Sequence, residues 1–169
     1  MCLMRFLRQP SRRYRDFQIV FFVLTLNFAV PALAYTFAPE LALASFADVD
    51  ARLGGTGRPF PEVDHELWRY LAAANVMTLA LMCALLMASL KRFFPVLVPL
   101  VFMKMYAALS WGVVFLLDVG RPLYGAAALL DLVTSAAFLF FAVRARRDLE
   151  GRRDDELVPR PLMGRGARA

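Results

Sequence analysis

Four stretches of this chain are almost free of charge: Phe17–Ala38, Leu67–Leu90, Phe93–Leu117 and Pro122–Val143. Each has 22 to 25 residues, against the roughly 20 that an α-helix needs to cross hydrocarbon. Continuous apolar runs of that length predict membrane-spanning helices. A transmembrane β-barrel would show short alternating segments instead, and none appear. The expected fold is therefore all-α: a polytopic membrane protein built as a four-transmembrane-helix antiparallel bundle. The mean hydropathy of +0.54 and the 60% hydrophobic content agree with that class, being far above those of a soluble domain.

The distribution of charge sets the expected orientation. Five arginines precede the first span (Arg5, Arg8, Arg12, Arg13, Arg15), and Lys91-Arg92 separates the second from the third. Arg144, Arg146, Arg147, Arg152, Arg153, Arg160, Arg165 and Arg168 follow the fourth, so fifteen of the twenty basic residues fall on one side of a four-crossing path. The other side carries seven of the fourteen acidic residues, including Glu40, Asp48, Asp50, Asp64 and Glu66. Positive charge marks the cytoplasmic side, which predicts an N-in/C-in topology. The net charge of +6 is accounted for by topology and contact with anionic lipid, and nucleic acid is not an expected partner. Eighteen arginines to two lysines, with abundant alanine, point to a GC-rich bacterial genome and hence to the cell inner membrane.

The expected layout is a basic cytoplasmic segment over 1–16, a transmembrane domain over 17–147 with an outer loop at 39–66, and a disordered cytoplasmic tail over 148–169. Arginines, an apolar stretch and Pro31-Ala32-Leu33-Ala34 also resemble a secretory signal cleaved before Tyr35. Against cleavage, the apolar stretch runs on through Phe37-Ala38 to full spanning length, so an uncleaved first helix is expected. In the outer loop, Leu41–Phe46 predicts a short interfacial helix, and Gly54-Gly55-Thr56-Gly57-Arg58-Pro59 a turn. The Gly-rich segment lacks the Lys-Ser/Thr ending of a phosphate loop. Pro99 is expected to bend the third span, and short connections to make the second, third and fourth spans sequential neighbours. Ala80, Ala84 and Ala88, with Ala108 and Gly112, suggest close packing seams.

Polar residues inside the apolar runs are the candidate site. Lys104 lies about 15 Å from the cytoplasmic start of its span and Asp131 about 18 Å from the same side, at 1.5 Å per residue. A charged side chain at such depth is a functional-site hypothesis by default. Asn27, Asn75 and Thr78 lie on the first two spans, and Thr134 and Ser135 share a face with Asp131. The expected cluster is Asn27, Asn75, Thr78, Lys104, Asp131, Thr134 and Ser135. Two readings stay open. The groups satisfy one another and hold the bundle in register, or they form a pocket or proton path. A second cluster lies at the outer mouth: His65, Glu66, Trp68 and Arg69, beside Asp64 and Tyr70. Its aromatics and arginine suit interface anchoring, and adjacent residues cannot all converge on one metal ion. One histidine, one mid-span Cys83 and Cys2 in the N-terminal segment leave zinc and haem without a ligand set. No cofactor and no catalytic nucleophile arrangement is expected.

With four spans, the Lys91-Arg92 hairpin and a polar residue in each span, residues 17–143 resemble the small four-helix bacterial inner-membrane proteins grouped as DoxX-like. The longer outer loop at 39–66 departs from that pattern. The resemblance implies only a loose link to redox or quinone-associated systems. The expected function is a non-catalytic bundle that binds a small, lipid-like or quinone-like ligand or serves as an accessory subunit, with a membrane protein or a second copy as partner. The alternative is a small transporter or membrane enzyme using Lys104 and Asp131 for proton or substrate chemistry.

Overall fold

A computed structural model describes residues 11–56, 66–118 and 120–150. They form α1 (Arg12–Phe37), α2 (Pro39–Arg52), α3 (Glu66–Ala88), the single turn α4 (Leu90–Phe93) continued by a 3-10 turn (Phe94–Val96), α5 (Leu97–Leu117) and α6 (Pro122–Leu149). No strand occurs among the described residues. Among the described residues, four helical segments are long and apolar enough to cross a membrane: α1, α3, α4 with α5, and α6. The all-helical, four-span architecture expected from the sequence is what the structure shows.

Two spans outrun their apolar stretches, because packing rather than hydropathy sets their ends. α1 begins at Arg12, where the Ser11 hydroxyl accepts a hydrogen bond from the Tyr14 amide at 3.2 Å. That cap satisfies one of the four amides a helix start leaves open. Tyr14 and Phe17, in the first two turns, are buried. At the other end of the chain α6 continues to Leu149, carrying the buried stripe Phe138, Ala142, Ala145 and Leu149 past the last apolar run. The expected tail from residue 151 onward, and the first ten residues, lie outside the described residues.

The core is organised around the aromatic face of α1. Tyr14, Phe17 and Phe21 follow one another at ring-centroid distances of 5.8 and 4.4 Å, and Phe21 and Phe28 both pack on Phe138 of α6, at 5.5 and 6.2 Å. α1 also lies antiparallel along α3, where Gln18 Nε2 donates to the Met87 carbonyl at 2.9 Å. α5 packs along α6. The expectation that the second and third spans are close neighbours needs correction: α3 and α5 touch only sparsely, although a short hairpin joins them. The interior stripe of α3, from Ala80 through Cys83 to Leu86, packs into the core that α1 builds. Short linkage fixes proximity at the hairpin, not along the length of the helices.

The proline expectation also changes. The chain breaks helix at Ser89, restarts, and passes through the 3-10 turn before α5 begins at Leu97. Pro99 therefore falls in the first turn of α5, where its missing amide leaves no helical bond unmade. The alanine seam on α3 divides between faces: Ala80 is buried but Ala84 is exposed, since steps of four residues precess about 40° around a helix of 3.6 residues per turn. On α5, Ala108 is buried, whereas a Cβ at Gly112 would meet nothing within 4 Å.

The outer loop is more structured than the expected short helix. α2 spans fourteen residues, with Pro39 preset for its first turn. Gly54 ends it in the left-handed region, φ 84°. Asp50, only 3% exposed, reaches across to α6, and its Oδ1 accepts from the Leu123 amide at 3.2 Å. A loop carboxylate thus caps the start of a membrane-spanning helix. The approach is close enough that a Cβ at Gly55 would stand 2.3 Å from Asp50 Oδ2. The Thr56 amide adds a bond to the Gly120 carbonyl at 3.2 Å. Residues 57–65, with the rest of the expected turn, lie outside the described residues.

Two outcomes are expected. Asp50→Ala should lower unfolding free energy in detergent by about 1 kcal/mol, with Asp50→Asn retaining most of it, read from paired denaturation curves. Because α1 supplies the aromatic core, the protein purified from membranes should keep its full 19.0 kDa mass. A species lacking residues 1–34 would contradict that.

Candidate functional site

Asp131 heads the buried stripe of α6, followed at helical spacing by Thr134, Ser135 and Phe138. α5 carries Lys104 one turn from the buried Leu100 and Ala108. Packing α5 on α6 brings the two ionisable groups together, and Lys104 Nζ donates to Asp131 Oδ1. The side chains retain 13% and 8% of their exposure. On a third side, Lys104 Nζ lies 4.9 Å from the centroid of the Phe28 ring on α1. The ammonium is held between a carboxylate and an aromatic face, and an ionised side chain at this depth needs such partners. Three helices meet at one cation.

The hydroxyls nearest the pair are already engaged. Thr134 Oγ1 donates to the Leu130 carbonyl at 2.7 Å and Ser135 Oγ to the Asp131 carbonyl at 2.9 Å, each closing on its own helix. They lie on the buried face of α6 without extending the polar centre into a chain.

The remainder of the expected cluster does not assemble. Asn27, Asn75 and Thr78 are exposed, facing out of the bundle. Asn27 shares its side of α1 with the exposed Val23 and Val30, away from the Phe21–Phe28–Ala32 stripe. Asn75 and Thr78 do share a face, as their spacing requires, but it is the outward one. Thr78 Oγ1 donates to the Ala74 carbonyl at 2.8 Å. Neither asparagine side chain hydrogen-bonds another described residue.

At the outer mouth, His65 lies outside the described residues. Glu66 and Trp68 fall in the first turn of α3, and their side chains are likewise outside the description. Arg69 sits 4.8 Å over the Tyr70 ring and donates to its hydroxyl at 3.0 Å. Among the described residues no group of three or more His, Cys, Asp or Glu side chains could hold a metal ion.

Three polar or aromatic contributions are new. Phe28 completes the ion-pair site, yet nothing in a phenylalanine-rich run distinguishes it from its neighbours. Gln18 is fully buried, with Nε2 shared between Tyr14 Oη at 2.8 Å and the Met87 carbonyl. A polar residue one position inside an apolar stretch was the available signal. Asp50 carried none, being one acidic residue among several in a loop.

The chain matches no family model, no curated protein and no solved structure.

Phe28→Leu keeps apolar burial but removes the ring face, and should lose about 1–2 kcal/mol of unfolding free energy. The same change made in a Lys104→Met background should lose clearly less, a difference that chemical denaturation of the four proteins measures.

Proposed function

We propose that this integral membrane protein is a non-catalytic subunit of a membrane assembly, held in shape by the Lys104–Asp131 pair and joined to its partner through outward asparagines. The observation that carries this reading is the placement of Asn27 and Asn75. Both amides face out of the bundle on membrane-spanning helices, without a hydrogen bond to another described residue. Next to lipid chains an amide finds no partner, and the same group on a neighbouring helix acts as polar glue. Asn27 offers more than its side chain. Pro31, four residues on, has no amide to bond the Asn27 carbonyl, which leaves a second acceptor on the same residue.

The skewed charge distribution supports a location with both termini cytoplasmic, and the arginine-rich composition supports a bacterial inner membrane. A place among the DoxX-like proteins fits the four spans and short hairpin, with α2 as the added element. A lipid-like ligand is better served by the outer surface than by the ion pair, whose surroundings are packed. The second reading, proton or substrate chemistry at Lys104 and Asp131, draws on their depth in the membrane.

Blue-native electrophoresis of mildly solubilised native membranes tests the proposal. The wild-type chain should run within a species larger than its own 19.0 kDa plus detergent. Asn27→Leu with Asn75→Leu should weaken that association about three- to thirtyfold, the worth of one interhelical hydrogen bond, while helicity is unchanged. A wild-type chain migrating alone, with Lys104→Met abolishing a proton flux in vesicles, would favour the second reading instead.

A further inference from the structure

The outward polar groups of α1 and α3 sit on opposite flanks of one helix pair. The two helices lie side by side, and their register is fixed where Gln18 Nε2 donates to the Met87 carbonyl and Thr25 Oγ1 to Met87 Sδ. Gln18 therefore marks the side of α1 that meets α3, and Met87 the side of α3 that meets α1. Asn27 follows Gln18 by nine residues, a rotation of about 180° at about 100° per residue, so it points straight away from α3. Thr78 precedes Met87 by nine residues and points straight away from α1. Asn75, three residues further out, is turned about 120° from Met87. All three are exposed. Their heights match as well. From the level of the Gln18–Met87 bond, Asn27 lies about 13.5 Å along α1, Thr78 about 13.5 Å along α3 and Asn75 about 18 Å, at about 1.5 Å per residue. Both flanks carry polar groups within one helical turn of the same depth.

Resting on the subunit reading, we propose that the partner is a second copy of this chain, joined head to tail. The Asn27 flank of one copy packs on the Asn75 and Thr78 flank of the next. Copies inserted with one topology are related by rotation about the membrane normal, which leaves depth unchanged. A contact between two different flanks therefore needs its halves at equal depth, whereas a flank that meets its own copy satisfies that condition at any depth. The match of Asn27 with Thr78 and Asn75 is a requirement of the head-to-tail contact alone. The groups are complementary. An asparagine amide both donates and accepts, and the Thr78 hydroxyl, its proton given to the Ala74 carbonyl at 2.8 Å, keeps a lone pair for the Asn27 amide. Val23 and Val30 project beside Asn27, while the exposed Ala72, Ala74 and Thr78 beside Asn75 are small and let a helix approach closely. Such a heterologous contact leaves one flank of each kind open and repeats until a ring closes.

Two full-length copies with different affinity tags, co-expressed and mildly solubilised, should co-isolate. A larger native species in which the tags do not co-isolate overturns the second-copy assignment and leaves the subunit reading standing. A chain that migrates alone overturns both. The direction of the contact is read by fluorescence transfer between donor- and acceptor-labelled chains in liposomes. Asn27→Leu, and separately Asn75→Leu with Thr78→Val, should each weaken self-association about three- to thirtyfold, with helicity unchanged by circular dichroism. Mixed together, the two variants should pair as tightly as wild type, because between them they keep one intact contact, and the mixture should stop at pairs. If either variant alone associates as wild type does, or the mixture pairs no better than each variant by itself, the head-to-tail contact is wrong.

Discussion

The contact between Lys104 and Asp131 constrains this bundle more than any other, because a membrane interior gives neither charge an acceptable alternative. An ammonium at mid-span costs about 2.5–3.5 kcal/mol on insertion scales, and a carboxylate left alone beside it is no better placed. Pairing them obliges α5 and α6 to present particular faces to each other. Placing Phe28 against the same ammonium then orients α1, whose aromatic series runs from Tyr14 to Phe28 and reaches Phe138 of α6. α3 is set by its packing on α1, which leaves its contact with α5 sparse and its Asn75 face outward.

The same rule, that buried polar groups need partners, operates at both ends of the bundle. Where α3 stops at Ala88, the Met87 carbonyl lacks its helical donor, and Gln18 of α1 supplies one. Where α6 starts at Pro122, the Leu123 amide lacks an acceptor, and Asp50 of α2 supplies it. Each bond links elements distant in sequence and relieves an open helix terminus. Hydrophobic burial alone discriminates poorly among helix rotations in lipid, since the surroundings are as apolar as the core. Such polar ties therefore carry a larger share of specificity here than they would in a water-soluble bundle.

The spans were legible in the sequence because hydropathy over some twenty residues has one cheap solution in a bilayer. The Lys104–Asp131 contact was legible too, since equal depth on consecutive helices joined by a tight turn leaves little freedom. What hydropathy does not encode is the rotation of each helix. Asn27 and Asn75 sit at suitable depths but on outward faces, and depth alone had grouped them with the pair. Helix ends escaped as well: Tyr14 and Leu149 are buried beyond the apolar runs because neighbouring helices cover them. The Asp50 cap was illegible for a different reason, being a contact between a loop residue and a backbone amide 73 positions away.

An occluded, structural ion pair behaves differently from a reactive one when both charges are removed together. The decisive measurement is the unfolding free energy, in bilayer-like micelles, of wild type, Lys104→Met, Asp131→Leu and the double variant. Each single change leaves an uncompensated buried charge and should cost about 3–5 kcal/mol. The double variant should recover most of that loss and fold as the wild type does. If the two losses simply add, or if each single change costs less than about 1 kcal/mol, the pair does not hold the bundle together and the account fails at its centre.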